Sequence, residues 1–214
     1  MNTATLKART EIEALKARIS QLDGDSLDLL FRQARTHNTW TELPVPDAML
    51  HDLYEIVKMA PTANNGCPAR YLFVRSEAAK ERLAGCVAPG NADKVRAAPV
   101  TVIIGYDTRY FETLDRLFPH KPEFKAKFAG NLAAAETAAF RNSSLQGAFL
   151  ILAARALGLD TGPMSGFNNA AVDGAFFAGT SVRSNFLCSL GYADPAGLFE
   201  RLPRLDFSQA CTLL

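Results

Sequence analysis

The chain is poor in the residues around which many specialised proteins are built. Among 214 residues there are one tryptophan, three histidines and four cysteines, and 23 basic residues face 22 acidic ones for a net charge of +1. Neither sign of charge is in excess, which removes the electrostatic basis for holding nucleic acid or an anionic membrane surface. Cysteines 67, 86, 188 and 211 show neither C-x-x-C nor zinc-finger spacing, and a chain of this length needs no disulfide staples. His37, His51 and His120 stand far apart without metal-ligand spacing, so no metal site is expected. Long apolar runs are missing too. The richest, Leu145 to Leu159, is broken by Gln146 and Arg155 and falls short of a membrane span. The N-terminus soon alternates Lys, Arg and Glu, unlike a signal peptide. These absences lead to the expectation of a soluble, cytoplasmic protein with reduced thiols, whose partners are small molecules or another copy of itself.

Familiar catalytic signatures are also lacking. There is no G-x-x-x-x-G-K-[ST] and no G-x-G-x-x-G, which excludes P-loop NTPases, kinases and Rossmann dehydrogenases. Gly162-Pro-Met-Ser-Gly166 is not a nucleophile elbow, because Ser165 comes one place too late for G-x-S-x-G. Cys67, in a Gly/Pro loop, reads as a packing cysteine rather than a reactive thiol. Asn142-Ser143-Ser144 reads as part of a helix rather than a glycosylation acceptor.

What is present is a core-forming pattern, with 48% hydrophobic residues in a length suited to one domain. Residues 4–22 predict an amphipathic helix with Ile12, Leu15, Ile19 and Leu22 on one stripe, too short to stand as a coiled coil. A second helix runs toward Arg35, capped by Asp25 or Ser26. Asp47 to Met59 is helical, with Leu50, Leu53, Ile56 or Val57, and Ala60 on its apolar face, and Pro61 ends it. Strands are expected at 70–75, 99–107 and 185–192, and a helix at 77–87. Residues 107–130, with four phenylalanines among prolines and lysines, predict an irregular excursion with short helices, a candidate lid. Asn131 to Leu157 is the longest helix, with Leu145, Phe149, Leu152 and Ala156 as one stripe, apolar enough all round for a central helix or a dimer seam, and Gly158 is its stop. Helices interleaved with a few buried strands give an α+β class.

Four islands carry the chemistry. Arg35 offers a planar, permanently charged fork for a phosphate, flanked by Thr36, His37 and Asn38. Pro61-Thr62-Ala63-Asn64-Asn65 presents carboxamides after a helix-stopping proline, suited to a ring with both donors and acceptors. Gly162-Pro163-Met164-Ser165-Gly166 predicts a turn with free backbone N–H groups, and Arg201 and Arg204 bracket Pro203 as further phosphate cations. Together they outline a flavin mononucleotide (FMN) site; singly, each is also an ordinary cap or turn.

In order and spacing, Ala34-Arg-Thr-His-Asn-Thr-Trp40, Ala139-Phe-Arg-Asn-Ser-Ser144, Ala156–Phe167 and Arg201-Leu-Pro-Arg-Leu205 resemble the nitroreductase family of FMN-dependent oxidoreductases over residues 26–214, with residues 1–25 as an N-terminal helical extension. The pattern looks closest to the malonic semialdehyde reductase branch of the pyrimidine-utilisation pathway. The resemblance implies a central, mostly antiparallel sheet flanked by helices, in an intertwined homodimer with FMN at the interface. It places Arg35, Thr36, His37, Asn38, Thr62, Asn64, Pro163, Met164, Ser165, Gly166, Arg201 and Arg204 on the cofactor, with Asn65 reaching it from the partner subunit. It also implies ping-pong hydride transfer from NADPH or NADH to a second substrate, here malonic semialdehyde. A cation, Arg141 or one of His120 and Lys121, is the candidate to hold that substrate's carboxylate. The chain departs from the family where Asn38 replaces Arg or Lys, where Cys67 and Ala69 replace Gln and Trp, and where Ser165 replaces an acidic residue. These departures count against nitroaromatic substrates more than against the cofactor. A promiscuous nitroaromatic or quinone reductase and a non-catalytic FMN-binding protein are the alternatives.

Overall fold

A computed structural model describes residues 3–214. Its elements run α1 (Thr3–Arg18), α2 (Gly24–Leu27) continuing into a π-turn to Arg32, α3 (Asp47–Val57), β1 (Ala69–Val74), α4 (Glu77–Ala84), α5 (Pro89–Ala97), β2 (Val100–Asp107), α6 (Leu114–Leu117), α7 (Glu123–Ala129), α8 (Leu132–Ala156), β3 (Asp160–Met164), α9 (Asn169–Phe176), β4 (Val182–Gly191) and α10 (Phe207–Ala210). The four strands form one antiparallel sheet in the order β1-β2-β4-β3. β2 and β4 occupy the middle because their continuous apolar runs need cover on both faces. Alternation then divides the core. Val102, Ile104, Cys188 and Leu190 face α3 and α8, with Leu53 and Leu150. Ile103 and Leu187 face the opposite side, with Leu83, Val95 and Val172 from α4, α5 and α9.

Most expected elements are in place, and the differences have physical causes. The cap of α2 is Asp23, whose carboxylate accepts from Ser26 N at 2.7 Å, not Asp25 or Ser26. In α3 it is Val57 that is buried, while Ile56 is exposed. The excursion at 107–130 folds into short helices over a third cluster of Tyr110, Phe111, Leu114, Ala135 and Ala139.

Two corrections bear on function. Gly162-Pro163-Met164 is not a turn but the greater part of edge strand β3, paired with Leu187–Ser189. Pro163 is tolerated because the outward side of β3 is bridged only at Thr161, so no N–H is called for at the proline. The α8 stripe read as fit for a central helix or a dimer seam is the outward one, with Leu145 49% and Phe149 37% exposed, which excludes the first of these within the chain. The face α8 turns inward is small and polar as far as Gly147, with Ala135 and Ala139 under the excursion and then Asn142, Ser143, Gln146 and Gly147, before Leu150, Ala153 and Ala154 make it apolar. Helix and sheet approach so closely there that a Cβ on Gly147 would meet the Phe186 ring at 2.4 Å. The helix stops as expected at Gly158, whose φ of 80° lies in the left-handed region.

Candidate functional site

Segment 34–38 extends the sheet beyond β3. Thr36 makes a parallel bridge to Thr161, and His37 N donates to Thr161 O at 3.0 Å. The approach depends on Gly162, because a Cβ there would lie 2.4 Å from the His37 carbonyl oxygen. His37 Nε2 sits 3.2 Å from Asp160 Oδ1, and the other oxygen of Asp160 accepts from Ala193 N at 2.9 Å. Arg35 donates to the carbonyl of Phe199, and Arg201 donates to that of Ala34 at 3.3 Å. Three of the four islands, at 35, 162 and 201, are therefore brought together. Arg204 is exposed and turns onto the carbonyls of Leu202 and Pro203.

Arg35, His37, Arg155, Asp160 and Thr161 line a cavity of about 190 Å3 in this cluster. His37 Nδ1, Thr161 Oγ1 and Trp40 Nε1 are buried without a hydrogen-bond partner, although buried polar atoms are almost always paired. Burial draws the Arg155 guanidinium below its ordinary pKa, and it donates to Leu30 O at 2.9 Å. Asn38 is half-buried, and Met164 packs among the residues of α4 and α9. Ser165 and Gly166 are exposed, and the Gly166 carbonyl is pinned by Ala88 N at 2.9 Å and Asn91 Nδ2 at 3.0 Å.

The fourth island forms a separate constellation. Asn64, Asn65 and Cys67 have φ of 54°, 48° and 42°, left-handed backbone that asparagine tolerates better than most residues. Thr62 Oγ1 accepts from Cys67 N at 3.1 Å, and Ala63 N donates to Asn142 Oδ1 at 2.7 Å. Asn65 Nδ2 donates to Leu117 O at 2.9 Å, tying the loop to the excursion that carries His120 and Lys121. His120 lies 4.1 Å from the Phe118 ring and Lys121 5.9 Å from that of Phe124. Arg141 stands on the outward side of α8, at helical spacing from Leu145 and Phe149. Beside this loop, along the free edge of β1, lies a cavity of about 990 Å3 lined by His51, Tyr54, Asn65, Cys67, Tyr71 and Arg116 among others. The Tyr71 hydroxyl is buried there without a partner, and burial pushes its pKa well above the usual range.

The two constellations flank opposite edges of the sheet. Three interstrand spacings, roughly 14 Å, separate β1 from β3. Within one chain, Asn65 does not join Arg35. Sequence reasoning missed Asp160, Asn142 and Gln146, whose Oε1 accepts from Ala69 N at 2.9 Å. Carboxamides four apart on one face of a long helix are the signal that would have found the last two. Among the described residues no group of His, Cys, Asp or Glu is arranged to hold a metal ion, and no helix is long and apolar enough to cross a membrane.

A Ralstonia pickettii protein bearing the provisional name NADH dehydrogenase/NAD(P)H nitroreductase HadB is 60% identical over 190 residues, covering 88% of this chain and 97% of its own. Among solved structures, a provisionally named nitroreductase, ydfN from Bacillus subtilis, superimposes with a TM-score of 0.79 at 19% identity, over 90% of this chain and 100% of its own. Another from Exiguobacterium sibiricum 255-15, solved in complex with FMN, gives 0.78 at 22% identity, over 91% and 99%. The description "Nitroreductase family" matches residues 31–192, and with the identity to the Ralstonia protein this shows that the chain belongs to the nitroreductase family.

Proposed function

We propose that this protein is an FMN-dependent NAD(P)H oxidoreductase, acting as a cytoplasmic homodimer and reducing malonic semialdehyde to 3-hydroxypropionate. The observation that carries the cofactor assignment is the gathering of Arg35, His37, Thr161 and Arg201 around buried polar atoms that have no partner among the described residues. A phosphate with a polyhydroxylated tail supplies both the charge for the guanidinium groups and the hydrogen bonds those atoms lack. When bound, FMN supplies a two-electron carrier that takes hydride from NAD(P)H and passes it to a second substrate.

Each residue then has a task. Arg35 and Arg201 hold the phosphate, with Arg204 free to swing from its own backbone to join them. Thr36, His37 and Asn38 hold the tail, and Asp160 orients the His37 ring from its Nε2 side. Pro163, Met164, Ser165 and Gly166 form a fixed backbone ledge for the ring, held by Asn91 and Ala88. Thr62, Asn64 and Asn65 reach the ring from a second copy, because the sheet keeps them from the site of their own chain.

The surface supports that second copy. Residues 199–214 are all exposed, including Leu202 at 73%, and β1 keeps an unpaired edge beside the larger cavity. The outward stripe of α8 adds apolar surface of the kind dimers bury. For the carboxylated aldehyde, Arg141, His120 and Lys121 are the cations to bind the carboxylate. Among the described residues, none of the three has an ion-pair partner. The name of the Ralstonia relative favours the second reading, a nitroaromatic or quinone reductase.

The test is the visible spectrum of the purified protein, before and after anaerobic NADPH or NADH and then after malonic semialdehyde or a nitroaromatic. A yellow protein that bleaches and regains colour with the aldehyde supports the full reading. Recovery only with the nitroaromatic selects the second, bleaching without recovery leaves no oxidant assigned, and a colourless protein that takes up no FMN overturns both.

A further inference from the structure

Helix α1 is the part of the molecule that neither the core nor the site uses. Residues 4–25 are all exposed, and the family match begins only at residue 31. An isolated helix of this length is marginal in water, so an element with no buried face needs a partner. Its apolar residues fall on alternating four- and three-residue steps: Ala8, Ile12, Leu15 and Ile19. Ile19 lies just past the last residue of α1, but its N–H donates to Leu15 O at 2.8 Å, so the same turn carries it. In heptad terms isoleucine occupies the a positions 12 and 19, and alanine and leucine the d positions 8 and 15. In parallel coiled coils, β-branched residues at a with leucine at d favour two strands over three or four.

Charges at the flanking positions favour the parallel orientation. Glu11 falls at g and Lys16 at the following e, so a parallel partner sets Glu11 of one helix against Lys16 of the other, twice by symmetry. An antiparallel partner would set Arg9 against Lys16, two like charges at e positions, along with Glu11 against Arg18 at g positions, whereas the parallel arrangement has the Glu11–Lys16 attraction without a facing like-charge pair. The turn that follows α2 carries further exposed apolar surface to the end of α8, on the side of the proposed dimer face. Leu29 and Phe31 are exposed on the π-turn that follows α2, and the Arg155 bond to Leu30 O fixes that turn at the end of α8, whose outward stripe carries Leu145 and Phe149.

We infer that α1 pairs in parallel with α1 of a second copy, as a short coiled clamp added to the dimer. The inference rests on the homodimer reading above. The pairing is too short to hold two chains by itself. Joined to chains already associated through α8, it becomes an intramolecular event at millimolar effective concentration.

The test uses the full-length protein carrying Cys211→Ser, which removes the exposed thiol, with Leu15→Cys at a d position. Diamide takes up two electrons and two protons as the two introduced thiols, one from each copy, close a single S–S bond. The Cys211→Ser parent gives the background. The expected result is a disulfide-linked dimer on a non-reducing gel, with several-fold less linkage in the added Glu11→Lys variant and recovery in Glu11→Lys/Lys16→Glu. Sedimentation of the same samples separates the two readings. A dimer that does not cross-link overturns the clamp and leaves the homodimer standing, while a monomer overturns the homodimer and the clamp with it.

Discussion

The carboxamide of Asn142 accepts from Ala63 N at 2.7 Å and donates to Ala138 O at 2.7 Å, so the loop bearing Asn64 and Asn65 hangs from the buried polar face of α8. Replacing Asn142 with alanine leaves the Ala63 donor without its acceptor. Ala63 is exposed and the bond only part-buried, so the expected loss of stability is about 1 kcal/mol, the net worth of an ordinary intramolecular hydrogen bond. Urea unfolding of wild type and Asn142→Ala measures it, and a difference under about 0.5 kcal/mol would show that water replaces the carboxamide freely.

Gly162→Ala tests how segment 34–38 is attached. The added methyl would lie 2.4 Å from a backbone oxygen, which cannot swing aside as a side chain can. Either the variant loses roughly 2 kcal/mol or more, or the segment separates from β3 and carries Arg35 and His37 with it. Both outcomes lower FMN affinity, readable by fluorescence titration, and unchanged affinity with unchanged stability would contradict the geometry.

Alkaline pH should weaken the fold through Cys188. Burial pushes this thiol from an ordinary value of 9.0 up to about 12, and Tyr110 is raised to about 12 by the same cause. The unfolded chain releases the thiol proton above pH 9 while the folded chain keeps it, so stability is intact below pH 9 and falls as pH rises toward 12. The slope from Cys188 reaches at most about 1.4 kcal/mol per pH unit. Urea midpoints at about pH 8 and about pH 10.5 should differ less in Cys188→Ala than in wild type.

Mixed dimers test the division of the site between chains. Arg35→Ala and Asn65→Ala should each lose FMN-dependent turnover by at least about tenfold. Unfolded and refolded together, half of the dimers are mixed, and each mixed dimer contains one site with both residues native. Activity should return to about one site in four. If mixing restores nothing, the two residues belong to one chain's site or to none.

Much of this architecture was legible in periodicity. Val100 to Ile104 reads as a buried strand because only a central strand accepts five such residues in a row, and Leu50, Leu53 and Val57 mark the buried face of α3. α5 was missed because its sequence, Pro-Gly-Asn-Ala-Asp-Lys-Val-Arg-Ala, has no apolar stripe, and Val95 alone of its residues is buried. β3 was misread because glycine and proline signal turns locally, whereas the pairing that makes it a strand comes from β4. The arginine islands were visible because charge at a loop has little structural use. Asp160 was not, since its partner His37 is distant in sequence and nothing local marks the pair.

Before Leu150, α8 departs from the usual rule: Asn142, Ser143, Gln146 and Gly147 face inward while Leu145 and Phe149 face outward, and only from Leu150 on is the inward face apolar. The consequence is evolutionary as much as structural: a polar substitution at Leu145 or Phe149 leaves the interior of a single chain untouched, whereas an apolar enlargement at Ser143 or Gly147 strikes the sheet directly. A mutational scan along α8 would therefore separate two kinds of failure, chains that fold but do not associate and chains that never fold, on opposite faces of the same helix.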